Sequence, residues 1–299
     1  MAETWTVLRL LTWTTDYLKS HASESPRLEA EVLLAHARGC ERIMLYAAFD
    51  EVVAEDVRAK FRELVKRRAE GMPVAYLVGK REFFSLSFRV TPDVLIPRPE
   101  TEFVVVEALD ALKGFRVQGS GLSPLLCDVG VGSGAVAIAV ARHSPEARVV
   151  AIDISAAALA VARENAATLQ VAERIEFLQS DLLAGMPPET RFEVIASNPP
   201  YIGEHELPTL SPSVRDFEPR QALIAGPTGT EVIERLIPQA AERLVPGGWL
   251  ILEVSPLIAL RVVELIAADG RFEAAVITKD LAGLARVVKA RRRGEGLAA

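Results

Sequence analysis

The hydrophobic pattern of this chain changes near residue 72, from helical spacing to short apolar runs. Over residues 5–71, apolar side chains recur at helical intervals, which places them along one face of a helix. Proline at the first helical position and glycine after the last are common helix boundaries. We predict a small helical bundle whose helices cover residues 5–19 with Thr4 as N-cap, the interval from Ser25-Pro26 to Gly39, and residues 53–69.

A β-hairpin is predicted after the bundle. Residues 83–90 partly alternate apolar and polar side chains, as a half-buried strand does. Thr91-Pro92-Asp93 is typical of a turn, and residues 94–96 would form a short second strand. The segment Pro97-Arg98-Pro99-Glu100-Thr101-Glu102 then forms either a stiff polar corner at a helix entrance or a proline-rich linker.

From Leu125 onward, apolar runs typical of strands alternate with helical stretches. This alternation indicates a mainly parallel sheet covered by helices on both faces, which is an α/β fold. We therefore predict a helical domain at residues 1–72, a β-hairpin linker at 73–97, an α/β domain at 98–290 and a basic tail at 291–299.

A glycine-rich turn, Gly130-Val131-Gly132-Ser133-Gly134, follows the first predicted strand of the α/β domain. Glycines let the backbone approach a ligand closely and adopt positive φ. The second strand ends at Asp153, about 20 residues further on, the interval at which an acid meets ribose hydroxyls in nucleotide-binding folds. Together, the turn and the acid predict a site for a nucleoside cofactor.

The chemistry around the turn favours a cofactor without phosphates. The spacing is G-x-G-x-G rather than G-x-G-x-x-G, so a pyrophosphate at the helix start is disfavoured. Asp128, just before the turn, would repel phosphates and attract a cationic group. S-adenosyl-L-methionine (AdoMet) meets these conditions, because it has ribose hydroxyls for Asp153 and carries an ammonium and a sulfonium.

The third predicted strand ends at Ser180-Asp181-Leu182. An acid followed by an apolar side chain at that edge would flank an adenine ring. A polar strand end with a core leucine explains the same residues equally well.

The motif Ser197-Asn198-Pro199-Pro200-Tyr201 ends a buried apolar run at residues 192–196. The two prolines stiffen the backbone after Asn198, and open α/β sheets bind ligands at the carboxyl ends of their strands. The Asn198 side chain matches a planar amide or an aminopurine edge. Tyr201 would add an aromatic wall. The alternative is a plain turn at a strand end, since Asn and Pro are ordinary turn residues.

Composition narrows the class of protein. The 299 residues carry 34 Lys and Arg against 40 Asp and Glu, a net charge of −6, which argues against coating nucleic acid by bulk electrostatics. The two cysteines, Cys40 and Cys127, lie far apart, as expected for thiols in a reducing compartment. Because the chain has no run of about 20 apolar residues and no signal-peptide pattern, we expect a cytoplasmic protein with no membrane partner.

The motifs around Asp128, Gly130–Gly134, Asp153 and Asn198-Pro199-Pro200-Tyr201 resemble those of class I AdoMet-dependent methyltransferases that act on planar nitrogens. Further segments narrow the resemblance to the peptide chain release factor glutamine N5-methyltransferases (HemK/PrmC). These segments span nearly the whole chain and comprise residues 71–79, Glu82-Phe83, residues 95–102, Phe217-Glu218-Pro219, Ala222-Leu223, residues 280–283 and Arg286-Val287-Val288.

The resemblance implies a seven-stranded, Rossmann-like methyltransferase domain. Its substrate would be the glutamine of the Gly-Gly-Gln motif in release factors, without direct nucleic-acid contact, and the helical domain would select that protein. It implies a catalytic, substrate-binding motif of Asn198, Pro199, Pro200 and Tyr201, with Arg98 also in substrate binding. The implied AdoMet-binding residues are Asp128, Gly130, Val131, Gly132, Ser133, Gly134, Asp153, Asp181, Leu182 and Asn198.

Two positions depart from the family pattern. Val131 stands where the family usually has Thr or Cys, which removes a side-chain hydrogen bond. Leu182 stands where the family often has an aromatic or other apolar group beside adenine, so stacking on the adenine would be weaker.

Glutamine methylation requires a poor amide nucleophile to be aligned with the methyl donor. We expect the Asn198 side-chain carbonyl and the Pro199 backbone carbonyl to accept the two amide hydrogens, with Tyr201 against the amide plane. Two other functions stay open on the residues alone. One is N6-adenine methylation of DNA or RNA, in which the same motif holds a flipped base. The other is a non-catalytic protein of this fold that binds the translation machinery.

Overall fold

The computed structural model describes residues 4–21, 23–116 and 123–294. The chain forms two compact units, one made of residues up to 80 together with 211–217, and one made of residues 81–210 and 218 onward. The helices are α1 (Val7–Ser20), α2 (Pro26–Arg38), α3 (Met44–Ala47), α4 (Glu55–Ala69), α5 (Val74–Val78), α6 (Glu102–Arg116), α7 (Ala135–His143), α8 (Ala156–Thr168), α9 (Pro212–Arg215), α10 (Arg220–Leu223), α11 (Glu231–Arg243) and α12 (Ala259–Asp269).

The strands are β1 (Lys80–Phe83), β2 (Leu86–Arg89), β3 (Leu125–Val129), β4 (Arg148–Asp153), β5 (Ile175–Gln179), β6 (Phe192–Ser197), β7 (Ile202–Gly203), β8 (Ile224–Gly226), β9 (Leu244–Glu253), β10 (Val276–Lys279) and β11 (Ala285–Arg291). Short 3₁₀ turns occur at Pro99–Thr101, Ala172–Arg174 and Glu204–Thr209. Within the described residues, no helix combines the length and apolarity needed to cross a bilayer.

The helical unit confirms the predicted bundle but moves two helix starts. Helix α2 begins at Pro26 and ends before Gly39, which takes the left-handed conformation with φ of 66°. Helix α1 begins at Val7 and is capped by Thr6, not by Thr4, because the Thr6 hydroxyl accepts the backbone N–H of Arg9. The Val53 N–H donates to the Trp5 carbonyl over 2.9 Å, so the chain is extended there and α4 starts only at Glu55.

The hairpin is tighter than predicted. Strands β1 and β2 are joined by Phe84 and Ser85 alone, with φ of 49° and 61°. Positive φ at both turn positions matches the twist of a two-residue hairpin. The Phe84 N–H donates to Glu102 over 3.0 Å. The single strand predicted at 83–90 and the second strand at 94–96 are therefore wrong, since tertiary contacts hold a turn that lacks the usual Asn-Gly signal.

The central sheet has seven strands in the order β10-β11-β9-β6-β3-β4-β5. Strands β9, β6, β3, β4 and β5 run parallel, and β11 and β10 pair antiparallel at one edge. Alternate residues of each central strand face opposite sides: Leu126 packs in the core that contains α6, α7 and α8, whereas Cys127 packs in the core that contains α11 and α12. The predicted seven-stranded α/β fold is confirmed.

The register of the central strands determines where the polar residues meet. Val129 is paired with Ile152 of β4 and with Ser197 of β6, and Ser197 is paired with Leu252 of β9. The strands therefore finish at one edge of the sheet, where α/β proteins bind their ligands.

The basic segment at residues 291–293 continues the backbone pairing of β11, which lies between β10 and β9, and is not the start of a tail. Strand β11 includes Arg291. The Arg292 N–H donates to the Gly248 carbonyl and the Arg293 N–H donates to the Arg271 carbonyl, each over 2.8 Å. The Arg291 and Arg293 side chains also donate to the Gly247 and Phe272 carbonyls, so hydrogen bonds hold this segment despite its three positive charges. The rest of the predicted tail, residues 295–299, lies outside the described residues.

The hairpin turn gives a stability test. Ser85 is exposed with φ of 61°, a conformation that glycine adopts without the usual strain. We expect Ser85→Gly to raise the free energy of unfolding by up to about 1 kcal/mol in urea denaturation. Ser87→Gly, in the exposed part of β2 two residues away, is the matched control and should lower it by roughly 0.5–1 kcal/mol. Equal effects from both variants would contradict the assigned turn.

Candidate active site

A cavity of about 450 Å³ opens at the carboxyl edge of the sheet. Its walls include nearly all of the predicted cofactor residues, namely Asp128, Gly130, Val131, Gly132, Ser133, Asp153, Asp181, Leu182 and Asn198. Of the predicted substrate residues, Asn198 and Pro200 line it, whereas Pro199, Tyr201 and Arg98 do not. The strand ends therefore bring the separate sequence motifs to one site.

The glycine turn wraps around the end of β3 and faces the cavity. Gly132 has φ of 53°, and a Cβ atom added to it would meet nothing within 4 Å, so a ligand can approach the backbone closely there. Gly134 has a different role: its φ is 89°, and an added Cβ would lie 2.6 Å from Ile138 Cδ1. The third glycine of the motif therefore allows α7 to start in close packing, and it is not among the residues that line the cavity.

Asp153 joins the glycine turn to the start of α8. Its Oδ2 accepts the Gly132 N–H and its Oδ1 accepts the Ser155 N–H, both over 2.9 Å. Burial raises the pKa of Asp153, and these backbone N–H groups oppose the rise. A carboxylate has about four lone-pair sites, so Asp153 keeps acceptor capacity for a ribose hydroxyl.

Asp128 is buried beneath the same turn, with 2% of its surface exposed. Its Oδ2 accepts the Ala137 N–H over 2.9 Å. Burial raises the pKa of Asp128 to about 7, the Ala137 N–H opposes the rise, and the negative charge of Asp153 adds to it. A cation bound in the cavity would favour the ionised carboxylate.

The segment after β5 also lines the cavity, through Ser180, Asp181 and Leu182. Asp181 forms an ion pair with Arg235, and both side chains are about half exposed. Leu182 lines the cavity with φ of 51°, a conformation that is strained for a leucine. Ser180 holds this turn, because its hydroxyl accepts the Gly185 N–H over 2.8 Å. Such strain at a cavity wall is typical of binding sites.

Asn198 is held in one orientation by a residue that sequence reasoning did not assign. Its Nδ2 donates to the Thr101 hydroxyl oxygen over 3.1 Å, which turns the side-chain carbonyl away from Thr101. Thr101 is 3% exposed and lies in the 3₁₀ turn before α6. The only sequence signal for it was its place in the polar corner after Pro97.

Tyr201 packs beside the sheet, and its hydroxyl donates to Glu253 Oε1 over 3.3 Å. Glu253, at the end of β9, is 2% exposed, whereas a glutamate is seldom fully buried. Burial raises the pKa of Glu253 to about 7, and the hydroxyls of Thr101 and Tyr201 oppose the rise. Burial also raises the pKa of Tyr201 well above its usual range.

Arg98 forms hydrogen bonds within the protein. Its guanidinium donates to the buried Glu218 carboxylate and to the Ile96 carbonyl. The second Glu218 oxygen accepts the Ile96 N–H over 3.3 Å. This pairing fixes the polar corner next to Thr101, and it leaves Arg98 outside the cavity wall.

Asp128 provides a test of the site's electrostatics. An acid whose folded-state pKa is about 7 and whose unfolded value is near 4 makes the protein less stable as pH rises between these values. Without cofactor, we expect Asp128→Asn to be more stabilising at pH 8 than at pH 5, by roughly 1–3 kcal/mol in urea unfolding. Glu253, whose pKa is also about 7, lowers stability as pH rises in both the wild type and the variant. Asp128→Asn therefore removes only part of the pH dependence of stability. An identical effect of Asp128→Asn at both pH values would show that the pKa of Asp128 is not raised in the folded protein.

Two family models and a solved methyltransferase structure match parts of this chain. The model of the PrmC N-terminal domain matches residues 9–79, and that of the methyltransferase small domain matches residues 115–210. The 16S rRNA N2 G1207 methyltransferase of T. Thermophilus, solved with AdoMet and guanosine, shares the fold at a TM-score of 0.51 and 21% identity, over 72% of this chain and 50% of that one.

Curated relatives match over nearly the full length. The release factor glutamine methyltransferase of Rhodopirellula baltica is 52% identical, with 96% of this chain and 98% of that protein covered. The release factor glutamine methyltransferase of Koribacter versatilis is 40% identical, with 92% and 95% covered. This chain, with its helical unit and its methyltransferase sheet, therefore belongs to the family of release factor glutamine methyltransferases.

Proposed function

We propose that this protein transfers a methyl group from AdoMet to the side-chain amide nitrogen of the glutamine in the Gly-Gly-Gln motif of peptide chain release factors. The observation that carries this proposal is the orientation of Asn198 at the cavity. One N–H of Asn198 Nδ2 donates to Thr101, so the side-chain carbonyl Oδ1 points away from Thr101 and is an acceptor suited to a substrate amide N–H.

The cavity residues fit AdoMet. Asp153 has acceptor capacity for ribose hydroxyls, and the open space above Gly132 admits a ligand close to the backbone. Asp128 provides a buried negative charge for the ammonium or sulfonium group. A volume of about 450 Å³ is within the usual range for a small-molecule site. When bound, AdoMet supplies a methyl group activated by the adjacent sulfonium.

The protein's contribution is to align the glutamine amide and to keep water out. The Asn198 Oδ1 and the Pro199 carbonyl are proposed to accept the two amide hydrogens. Pro199 and Pro200 present no N–H groups, so this stretch of backbone accepts without donating. Tyr201 is proposed to flank the amide plane, with its contact to Glu253 holding the ring in place.

The helical unit is proposed to select the protein substrate. Its match to the PrmC N-terminal domain over residues 9–79 supports this role. A net charge of −6 favours a protein over a nucleic acid as the partner. Because release factors act in translation, the proposed place of action is the cytoplasm.

Cofactor binding can be tested at Asp153. Asp153→Ala removes the proposed ribose acceptor and frees the N–H groups of Gly132 and Ser155, so we expect AdoMet binding to weaken by about 1–3 kcal/mol in calorimetry. Asp153→Asn keeps one acceptor oxygen and should weaken binding less. Urea unfolding of both variants distinguishes a lost contact to the ribose, which leaves stability unchanged, from a destabilised glycine turn, which lowers it. A folded Asp153→Ala variant with wild-type affinity would remove Asp153 from the cofactor site.

The chemical role of Asn198 can be separated from a structural one. Asn198→Ala deletes the acceptor, so we expect turnover on a release factor to fall by roughly 100-fold or more, as when a group that positions a reacting atom is lost. AdoMet affinity and thermal stability should change little. Asn198→Asp keeps an acceptor oxygen and should leave residual activity. A residue that only caps a turn would instead lose about 1 kcal/mol of stability and keep turnover.

The substrate controls decide between glutamine and adenine. The release factor is compared with a version in which the glutamine of Gly-Gly-Gln is alanine, with a short Gly-Gly-Gln peptide and with duplex DNA. We expect transfer to the intact factor, poorer transfer to the peptide and none to the alanine version. Transfer to that version, or to DNA at a comparable rate, would overturn the proposed function.

A further inference from the structure

Three leucines have the most exposed large apolar side chains of the described residues. Leu281 is fully exposed, and Leu257 and Leu260 are 79% and 71% exposed. Leu281 lies in the turn between β10 and β11, whereas Leu257 comes just before α12 and Leu260 lies in its first turn. A single exposed leucine is ordinary on a protein surface, but several in one region indicate a contact surface. We call these three residues the leucine rim.

Strand pairing places the leucine rim at the carboxyl edge of the sheet. Strands β9 and β11 are antiparallel, with Glu253 paired to Val287. The pairing continues past the end of β9, where the Val254 N–H donates to the Arg286 carbonyl over 2.9 Å. The turn before β11 and the segment between β9 and α12 therefore lie beyond the same end of these two strands. Strand β6 runs parallel to β9, so this is also the edge at which Asn198 follows β6.

Hydrogen bonds hold the turn that carries Leu281. The Asp280 Oδ1 accepts the backbone N–H groups of Ala282 and Leu284, both over 2.9 Å, and its Oδ2 accepts Arg286 Nε over 2.7 Å. An apolar side chain on a turn that is already ordered loses less entropy on binding than one on a mobile loop. Residues 280–283 and Arg286 are among the segments of family resemblance, yet they lie outside the cavity wall.

The turn is connected to the residues around Asn198 by ion pairs and hydrogen bonds. The Arg286 guanidinium that binds Asp280 also lies 3.5 Å from Glu100. Glu100 immediately precedes Thr101, whose hydroxyl accepts a hydrogen bond from Asn198 over 3.1 Å. The surface that contains the leucine rim is therefore continuous with the site at which the glutamine reacts.

The strand order leaves the edge beyond β9 and β11 open to the substrate. Strand β6 lies between β3 and β9. The cavity wall includes the ends of β3 and β4 and the segment after β5, and within the described residues neither β9 nor β11 contributes to it. With the cofactor residues on one side of β6, the polypeptide that flanks a glutamine at Asn198 can lie along the other side, where the leucine rim is exposed.

We infer that the leucine rim is a docking surface for the release factor, where it binds apolar side chains of the segment that flanks the Gly-Gly-Gln motif. The inference rests on the proposed function, because the rim acts on the same substrate. Leucines offer apolar contact without directional hydrogen bonds, and they contact the flanking segment rather than the reacting atoms. The rim therefore lowers the KM for the protein substrate and leaves the chemical step unchanged.

Leu281→Ser and Leu257→Ser test the inference directly. We expect each to raise the KM for the release factor roughly 3- to 10-fold, as when an apolar contact of an interface is lost. Turnover at saturating factor, AdoMet affinity and melting temperature should stay near wild type. Leu281→Met keeps the apolar volume and should retain the wild-type KM. Transfer to a short Gly-Gly-Gln peptide should be the same in all variants, because the peptide lacks the flanking segment.

Val276→Ser is the matched control. Val276 is 51% exposed and lies on the same hairpin as Leu281, but it pairs with Lys289 at the end of β10 that is distant from the turn. Its substitution removes a similar exposed apolar side chain, so we expect the KM for the release factor to stay at the wild-type value. A rise equal to that of Leu281→Ser would overturn the inference, because the effect would then not depend on position.

Two other results would overturn the inference. One is an unchanged KM in folded Leu281→Ser and Leu257→Ser. The other is a wild-type dimer in sedimentation that Leu281→Ser abolishes without changing the KM, since the rim would then bind a second copy of this chain. Failure of the wild type to methylate the release factor would overturn the proposed function instead. In that case, calorimetry with the unmodified factor still decides: weaker binding by the leucine variants alone supports the docking surface, and equal or absent binding overturns it.

Discussion

The in-register pairing of the central parallel strands is the constraint on which the site depends. Val129 pairs with Ile152 on one side and with Ser197 on the other, so β3, β4 and β6 end level. A slip of one residue would turn side chains to the opposite face of the sheet and separate the glycine turn from Asn198. The Ser197 hydroxyl reinforces the alignment by donating to the Val129 carbonyl over 2.6 Å.

The buried carboxylates and the backbone strain of the site make the fold less stable. Asp128 and Glu253 are each 2% exposed, and burial raises the pKa of each to about 7. Near neutral pH both therefore bear charges that the fold would be more stable without. Leu182 adds backbone strain at the cavity wall. The two apolar cores on either side of the sheet supply the stability that tolerates these groups.

The features that the sequence predicted are local ones. The glycine turn, Asp153 and the Asn198 motif each follow a strand directly, and their chemistry was visible in short stretches of residues. The hairpin was placed wrongly because Phe84 adopts positive φ under tertiary contacts with Glu102. Thr101 escaped notice because its partner, Asn198, lies 97 residues away. The burial of Glu253 could not be predicted from its own stretch of sequence, since the burial of a strand end depends on elements distant in sequence.

The positions of Thr101 and Glu253 along the chain have a consequence for synthesis. Thr101 precedes the first strand of the central sheet, and Glu253 ends the ninth strand in chain order. The two side chains that hydrogen-bond to the Asn198 motif, Thr101 to Asn198 and Glu253 to Tyr201, therefore leave the ribosome about half a protein apart. A nascent polypeptide that has already paired β3 with β4 holds the glycine turn and Asp153, yet it lacks both the Asn198 motif and the carboxylate that Tyr201 contacts. The order of synthesis thus delays the contact between Tyr201 and Glu253 until β9 has folded against β6.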